Sequence, residues 1–285
     1  HNNSCQEWLI GSVDRTSHVV TQIAQLKPNE TIGVPATVIN NGRLAIKPVS
    51  EERYEWGTGE ETSWINLMLQ YKESKQIRCS YDGNLQKFQD SYAVVRTQFL
   101  KPIPEKIADV LNPLSAYLLQ EYSGCISIEA PLVIENLLGR SIKFNLYQKV
   151  EDVMKKEYEG SLAIGAREYV NSLNIREDVY MTIVPNDTWK CEQPALLFSR
   201  NSPAETSIDL IDNLGNQLRL YLDYNSTSEA HAFCHATIYS QFWIINHTKH
   251  ELTAKSASGQ TIAQSDTDRG KVKPMLLSLP AAQKD

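Results

Sequence analysis

The chain has 285 residues, of which 41% are apolar, 22% charged and 8% aromatic. That is enough for two or three domains with cores of their own, and the balance excludes both intrinsic disorder and a membrane-span composition. The formal net charge of −6 argues against capture of nucleic acid or anionic membrane by charge alone, and no run approaches the roughly 18 apolar residues of a spanning helix.

The chain opens at His1 with neither an initiating Met nor a signal peptide, and it reads as a fragment. Cys5, Cys79, Cys125, Cys191 and Cys234 are odd in number and lack paired spacing, the usage of a reducing compartment. Asn-x-Ser/Thr acceptor patterns at Asn2, Asn29, Asn186, Asn225 and Asn246 pull toward a secreted chain. The one at Asn246 falls where a buried corner is expected, and the cytosolic reading is preferred.

Residues 1–100 read as strands. Glu7-Trp8-Leu9-Ile10-Gly11 is a short apolar run, and Val20 to Leu26 alternates before the turn Lys27-Pro28-Asn29-Glu30. A strand through Ile32 and Val34 follows, then Asn40-Asn41-Gly42, a hairpin signal, and the run Leu44 to Pro48. Leu26 to Pro48 parallels Ala163 to Pro185, with Gly165 in the second turn. Between 99 and 122 the pattern changes. Pro102-Ile103-Pro104 is extended because proline fixes its own φ and restricts its predecessor; it stiffens the connection, or mimics a bound peptide. Ile107, Val110, Leu111, Leu114, Leu118 and Tyr122 then recur at helical spacing around Asn112-Pro113, predicting a short interrupted helix over about 104–122.

Beyond it, Ile208 and Leu210 alternate into the turn Asn213 to Asn216 and back through Leu218, Leu220 and Leu222, a hairpin. Residues 254–273 are polar and read as a long loop, and Lys273 to Leu279 as a further strand. Two stretches share one grammar: Leu132-Val133-Ile134-Glu135-Asn136 and Phe242-Trp243-Ile244-Ile245-Asn246. Each is a strand, expected to be buried on both faces, that ends at an Asn suited to a tight corner. A shift of 110 positions (246 − 136) aligns them without a gap and puts Ile126, Ile128 and Ile142 on Ala236, Ile238 and Leu252, evidence for a structural repeat. The first stretch of the chain has no recognisable Asn strand of this kind.

The fold predicted is all-β: tandem antiparallel β-sandwich repeats joined by a short helical connection near residues 104–122. The units are 1–123, a repeat lacking its first strand; 124–235, a complete repeat; and 236–285, the start of a third repeat or closing strands of the second.

Ala130 to Leu138 and Ile238 to Thr248 resemble the repeat signatures of the adaptor-binding domain of the vacuolar protein sorting-associated protein 13 family. Lys47-Pro48, a spacer, and Tyr54-Glu55-Trp56 are similar to a further element of that family. The resemblance implies a near-fixed Asn in each repeat and adaptors that dock through Pro-x-Pro motifs. It also implies a parent protein that carries lipid between organelles at membrane contact sites, with this region cytoplasmic, peripheral and held to membranes indirectly.

No active site is legible. His231, Cys234, His235, His247 and His250 sit at metal-like spacings, but alternation puts Cys234 and His235 on opposite strand faces, so they read as strand-face and turn residues. The acidic run Glu51, Glu52, Glu55, Glu60 and Glu61 lacks calcium-loop spacing, and Gly57-Thr58-Gly59 is too short for a phosphate loop. Neither metal, cofactor, catalysis, nucleic acid nor an obligate oligomer is indicated. Asn136 and Asn246 carry two readings, satisfaction of backbone groups at the corner and contact with an incoming peptide; Trp243 and Tyr239 join them as candidate peptide-binding residues. A secreted β-sandwich that binds carbohydrate or a cell-surface protein is the alternative, carried by the acceptor patterns and by Trp8 and Trp56.

Overall fold

The computed structural model describes residues 1–50, 54–58, 62–64, 67, 74–81, 89–99, 124–150, 153–185, 189–199, 204–213, 215–225, 233–248, 250–255, 259, 261–264 and 274–276. The helix expected over 104–122 and the Pro102-Ile103-Pro104 segment lie outside these residues. The chain is an all-β molecule of antiparallel sandwiches in tandem. Packing divides it into two compact units. One is His1–Leu132 with Tyr169–Asn174 and Thr227–Phe233; the other is Val133–Glu168 with Ile175–Ser226 and Cys234–Asp285.

In the first unit β1 (Trp8–Asp14) turns back into β2 (Val20–Leu26). Asp14 ends β1 because its carboxylate accepts the Thr16 and Ser17 N–H groups at 2.9 and 2.8 Å, an Asx turn that replaces the ladder. Helix α1 (Ala36–Asn41) then leads into β3 (Gly42–Pro48). Asn40-Asn41-Gly42 is therefore a helix end and not the hairpin turn its composition predicts. The reason is topological. β2 and β3 both pair antiparallel with β1, on opposite edges, so the chain must cross from one edge to the other. Ile32, Val34, Val38 and Ile39 on that crossing pack against the core, and their burial outweighs a local turn preference.

A meander of β4 (Ser74–Cys79), β5 (Ser91–Phe99) and β6 (Gly124–Glu129) makes the second sheet. One core joins Trp8, Ile10, Leu26, Leu44 and Ile46 of the first sheet to Ile77, Cys79, Ala93, Val95 and Ile128 of the second. Alternation by two, buried against exposed, selects the residues that enter it. Gly57 pairs with Ile46 by two backbone bonds of 2.8 and 3.0 Å, and a Cβ there would lie 2.6 Å from the Arg78 carbonyl. Only glycine fits that approach.

The second unit begins with β7 (Leu132–Asn136), β8 (Ile142–Val150), β9 (Val153–Leu162), β10 (Arg167–Val170), β11 (Val179–Val184), β12 (Trp189–Cys191) and β13 (Ala195–Phe198). β14 (Ser207–Asp212), β15 (Gln217–Asn225) and β16 (Cys234–Tyr239) follow as a meander. Two sheets result, in the orders β10-β7-β16-β15-β14-β12 and β13-β11-β8-β9. The hairpin predicted from Ile208 to Leu222 is present, with Leu210 opposite Leu218.

The wiring repeats that of the first unit. β8 lies between β9 and β11 as β1 lies between β2 and β3, and β14-β15-β16 repeats β4-β5-β6. Trp8 pairs with Leu26 as Ile142 pairs with Leu162. The parallel read from the sequence between Leu26 and Ala163 is thus one residue out of register.

A third, shorter set follows: β17 (Trp243–Ile245), β18 (Thr253–Lys255), β19 (Thr261–Gln264) and β20 (Pro274–Leu276). β18 and β19 form a hairpin within the stretch expected to be loop. β17 pairs antiparallel with β20, Trp243 opposite Leu276. Contrary to the expectation of a strand buried on both faces, Phe242, Trp243 and Ile245 are 64%, 43% and 48% exposed. β7, the matching strand, is buried because β10 and β16 flank it on both edges. Among the described residues β17 has β20 alone.

Candidate functional site

The Asn corner recurs three times. Asn136 is fully buried. Its Nδ2 donates to the Arg140, Leu162 and Ala163 carbonyls at 2.9, 3.2 and 3.0 Å, and its Oδ1 accepts the Leu138 N–H at 3.0 Å. Asn2, equally buried, repeats this: Nδ2 donates to Gln6 and Leu26 at 2.8 and 3.2 Å, and Oδ1 accepts the Ser4 N–H at 2.9 Å. The backbone agrees. The Asn2 and Asn136 N–H groups donate to Glu30 and Ala166, and their carbonyls accept from Asn29 and Gly165. Asn29 and Gly165 hold positive φ angles of 62° and 69°, the left-handed geometry that Gly and Asn tolerate. One side chain ties the end of a strand to the next hairpin in both units, and Asn suits it because a carboxamide both donates and accepts.

Asn246, half-buried, keeps the local half of the pattern. Its Nδ2 donates to the His250 carbonyl at 2.7 Å, and its Oδ1 accepts the Thr248 N–H at 2.9 Å and the Thr248 hydroxyl at 2.7 Å. Ser4 donates its hydroxyl to Asn2 in the same way, at 2.7 Å. The acceptor patterns at Asn2 and Asn246 are therefore corner geometry, a hydroxyl two residues on that caps the Asn oxygen.

Sequence reading missed Asn2. Its offset from Asn136 is 134 residues, not 110, and it looked like an acceptor pattern. The signal that finds it is the large apolar residue six positions on: Trp8, Ile142 and Leu252.

What differs among the repeats is the strand beside the Asn. In the first unit β6 lies against it, with Asn2 and Ile128 bridged in parallel. In the second the place is taken by β16, where the Leu137 N–H donates to the Ile238 carbonyl at 2.9 Å. Pro274 lies opposite Ile245 and has no N–H to give it, so β20 bonds β17 through the edge of Ile244, the side on which β7 bonds Gly165 and Ala166 through Asn136. The edge of β17 that corresponds to the β16 side has no partner among the described residues.

The side chains around that edge change in character. Glu135 lies 3.0 Å from Arg167 Nε and 3.1 Å from His235 Nε2, a charged cluster across β10, β7 and β16. The shift of 110 puts Ile245 in the place of Glu135 and Trp243 in that of Val133. The outer face of β17 is thus apolar where that of β7 carries the Glu135–Arg167 pair. The Trp243 indole N–H donates to the Ser240 carbonyl at 2.8 Å, which fixes the ring. Of the four residues singled out by sequence, Trp243 and Asn246 lie together on β17 and the corner that follows it. Tyr239 ends β16 with its ring 5.8 Å from that of Tyr221, and Asn136 is the buried corner of the second unit.

Among the described residues no three of His, Cys, Asp and Glu converge as metal ligands. Cys234 is buried and its thiol is pushed up to about 12, while His235 faces Glu135 on the other side of the strand; His231 lies outside the described residues. Burial likewise pushes Cys79 up to about 12, and none of the five cysteines is bridged. Thiols this high in pKa are inert at neutral pH. Among the described residues no helix is long and apolar enough to cross a membrane.

Repeated Asn corners and antiparallel sandwich sheets define a class: a tandem β-repeat module. The family model described as "Vacuolar-sorting associated protein 13, adaptor binding domain" matches residues 1–285, and the chain belongs to that family, which is not a catalytic one. The chain is also similar to the "Intermembrane lipid transfer protein VPS13" of Chaetomium thermophilum, 23% identical over 287 residues, covering 94% of this chain and 8% of that protein. The chain therefore spans a small part of the curated relative it matches.

Proposed function

We propose that this chain is a non-enzymatic docking module. It recruits a lipid-transfer protein to organelle membranes and membrane contact sites by capturing extended Pro-x-Pro-type segments of adaptor proteins. The captured segment adds itself as a strand beside the Asn246 corner of β17. What supports this reading is membership of the adaptor-binding family, with Trp243 and Ile245 exposed next to that corner.

Strand addition takes affinity from main-chain hydrogen bonds and specificity from alternate side chains. A proline segment is already extended and loses little conformational freedom when bound. Asn246 shapes the corner at the end of that strand and Trp243 supplies a rigid aromatic surface. Tyr239 ends the strand that leads into β17, and Asn136 stands at the matching corner of the preceding repeat. The module acts on the cytoplasmic side and reaches membranes through the adaptor.

Calorimetric titration of the chain with a Pro-x-Pro peptide tests this. Saturable binding that Trp243→Ala weakens about tenfold or more is expected, as for a buried aromatic anchor. No binding, or binding indifferent both to Trp243→Ala and to Ile245→Lys, would reject it.

A further inference from the structure

We infer that the apolar cavity of the first unit is the seat of a β-strand, and that its occupant is the stretch of the full-length protein leading into His1. The cavity measures about 250 Å³, and Ile10, Ile32, Leu44, Trp64, Ile126 and Ile128 are among the residues that line it. A dry space of roughly 150 Å³ already takes one aromatic ring, so there is room for more than one large apolar side chain. All of the lining lies within His1–Leu132, so the cavity belongs to that unit alone.

The second unit shows what fills the same place. Asn29 and Gly165 are equivalent, and their offset of 136 (165 − 29) puts residues 31–34 on β10. An offset of 110 (238 − 128) puts Cys125, Ile126 and Ile128 of β6 on His235, Ala236 and Ile238 of β16. Between β10 and β16 runs β7, whose Leu132 and Ile134 are 1% and 0% exposed. In the first unit the cavity is lined by residues 31–34 and by β6. Among the described residues 31–34 join no sheet.

The last rung of the expected strand is already in place. By the offset of 134 between Asn2 and Asn136, His1 stands where Glu135 does. His1 Nδ1 lies 2.8 Å from the Thr31 hydroxyl, as Glu135 lies 3.0 Å from Arg167. The His1 amino group donates to the Ile126 carbonyl, and the Ile128 N–H to the His1 carbonyl, both at 2.8 Å. The strand therefore runs parallel to β6, as the Asn2–Ile128 bridge does. A strand residue directs its N–H and C=O to one neighbour, so the Ile126 N–H faces the seat as well. Its acceptor is the carbonyl two residues before His1.

This register fixes the chemistry of the occupant. The residue directly before His1 takes the place of Ile134, and the third before it that of Leu132. Both are large and apolar, because they fill the cavity. The matched segment is only 8% of the curated relative's length, so a longer protein has chain to supply. Supplied in cis, the strand outcompetes any free peptide through effective concentration. It also closes an edge that would otherwise pair with extended apolar segments at large.

Two extended chains test this, one with Leu-Val-Ile added ahead of His1 and one with Ser-Val-Ser, each compared with the 285-residue chain. Leu-Val-Ile is expected to slow hydrogen exchange of the Ile126 amide about tenfold or more and to raise the urea midpoint. Ser-Val-Ser is expected to do neither to that extent. Equal stability of the two extended chains overturns the apolar filling, and unchanged exchange at Ile126 with Leu-Val-Ile overturns the pairing. Slow exchange already present in the 285-residue chain also overturns the inference. If independent of concentration it assigns the seat to another part of the chain itself, and if it grows with concentration, to a second copy. None of these outcomes bears on peptide docking at β17, which belongs to the other unit.

Discussion

Asn136 commits its whole carboxamide to backbone: three carbonyls on one side and the Leu138 N–H on the other. Replacing it with Ala leaves buried acceptors and a buried donor without partners, which costs on the order of 1–3 kcal/mol. Asn136→Ala and Asn2→Ala should therefore shift the denaturant midpoint clearly, while Asn246→Ala, at a half-buried corner, shifts it less. Peptide affinity is expected to show the opposite order, with the largest loss at Asn246. Equal loss of stability at Asn136 and Asn246 would show that the third corner is as built-in as the second. A melting curve unchanged in Asn246→Ala together with lost peptide would assign the side chain to the ligand.

Among elements, the contrast between β7 and β17 is instructive. Both are apolar runs that end in Asn, and their sequences predict the same burial. Among the described residues β7 sits between two strands and β17 beside one, and their burial differs accordingly, a fact of pairing that no periodicity contains. The β14–β15 hairpin is the reverse case. Its alternation and turn residues were legible, and the turn is held by Asp212, whose carboxylate accepts the Asn216 N–H at 2.8 Å. Across it Arg219 donates to Asp209 at 2.6 and 2.8 Å, which holds the Asp209 carboxyl below its ordinary value. A carboxyl whose pKa falls on folding stabilises the protein above its unfolded value, about 3.9, and that contribution fades as pH drops through the lower folded value. Both side chains are 53% exposed, so the pair contributes less than about 1 kcal/mol. Asp209→Asn should lower stability slightly at neutral pH and leave it unchanged near pH 2, in urea titrations at the two pH values.

For the whole molecule the expectations are simple and checkable. A circular-dichroism spectrum should be dominated by strand. Alkylation of the native chain should modify exposed Cys5 quickly and spare Cys79 and Cys234, which are buried with thiols near 12, until denaturant is added. Fast labelling of Cys234 in the native state would mean that β16 does not hold its place in the six-stranded sheet.

What the sequence determined is local and periodic. Alternation by two made the chain all-β, and Asn136 and Asn246 marked two corners because a carboxamide at a strand end must find backbone partners close by. The turns after Leu26 and Leu162 were legible as well, one residue out of register, with Asn29 and Gly165 in the equivalent left-handed positions. Tertiary structure decided the rest. Asn2 became the third corner only when Leu26 and Glu30 were brought to it, across a spacing that had drifted from 110 to 134. The Asn40-Asn41-Gly42 turn signal gave way to a helix because β1 needed a strand on each edge. The burial of β7 against the exposure of β17 is likewise a property of which described strands lie beside each: neighbours come from distant parts of the chain, and residue spacing carries no record of them.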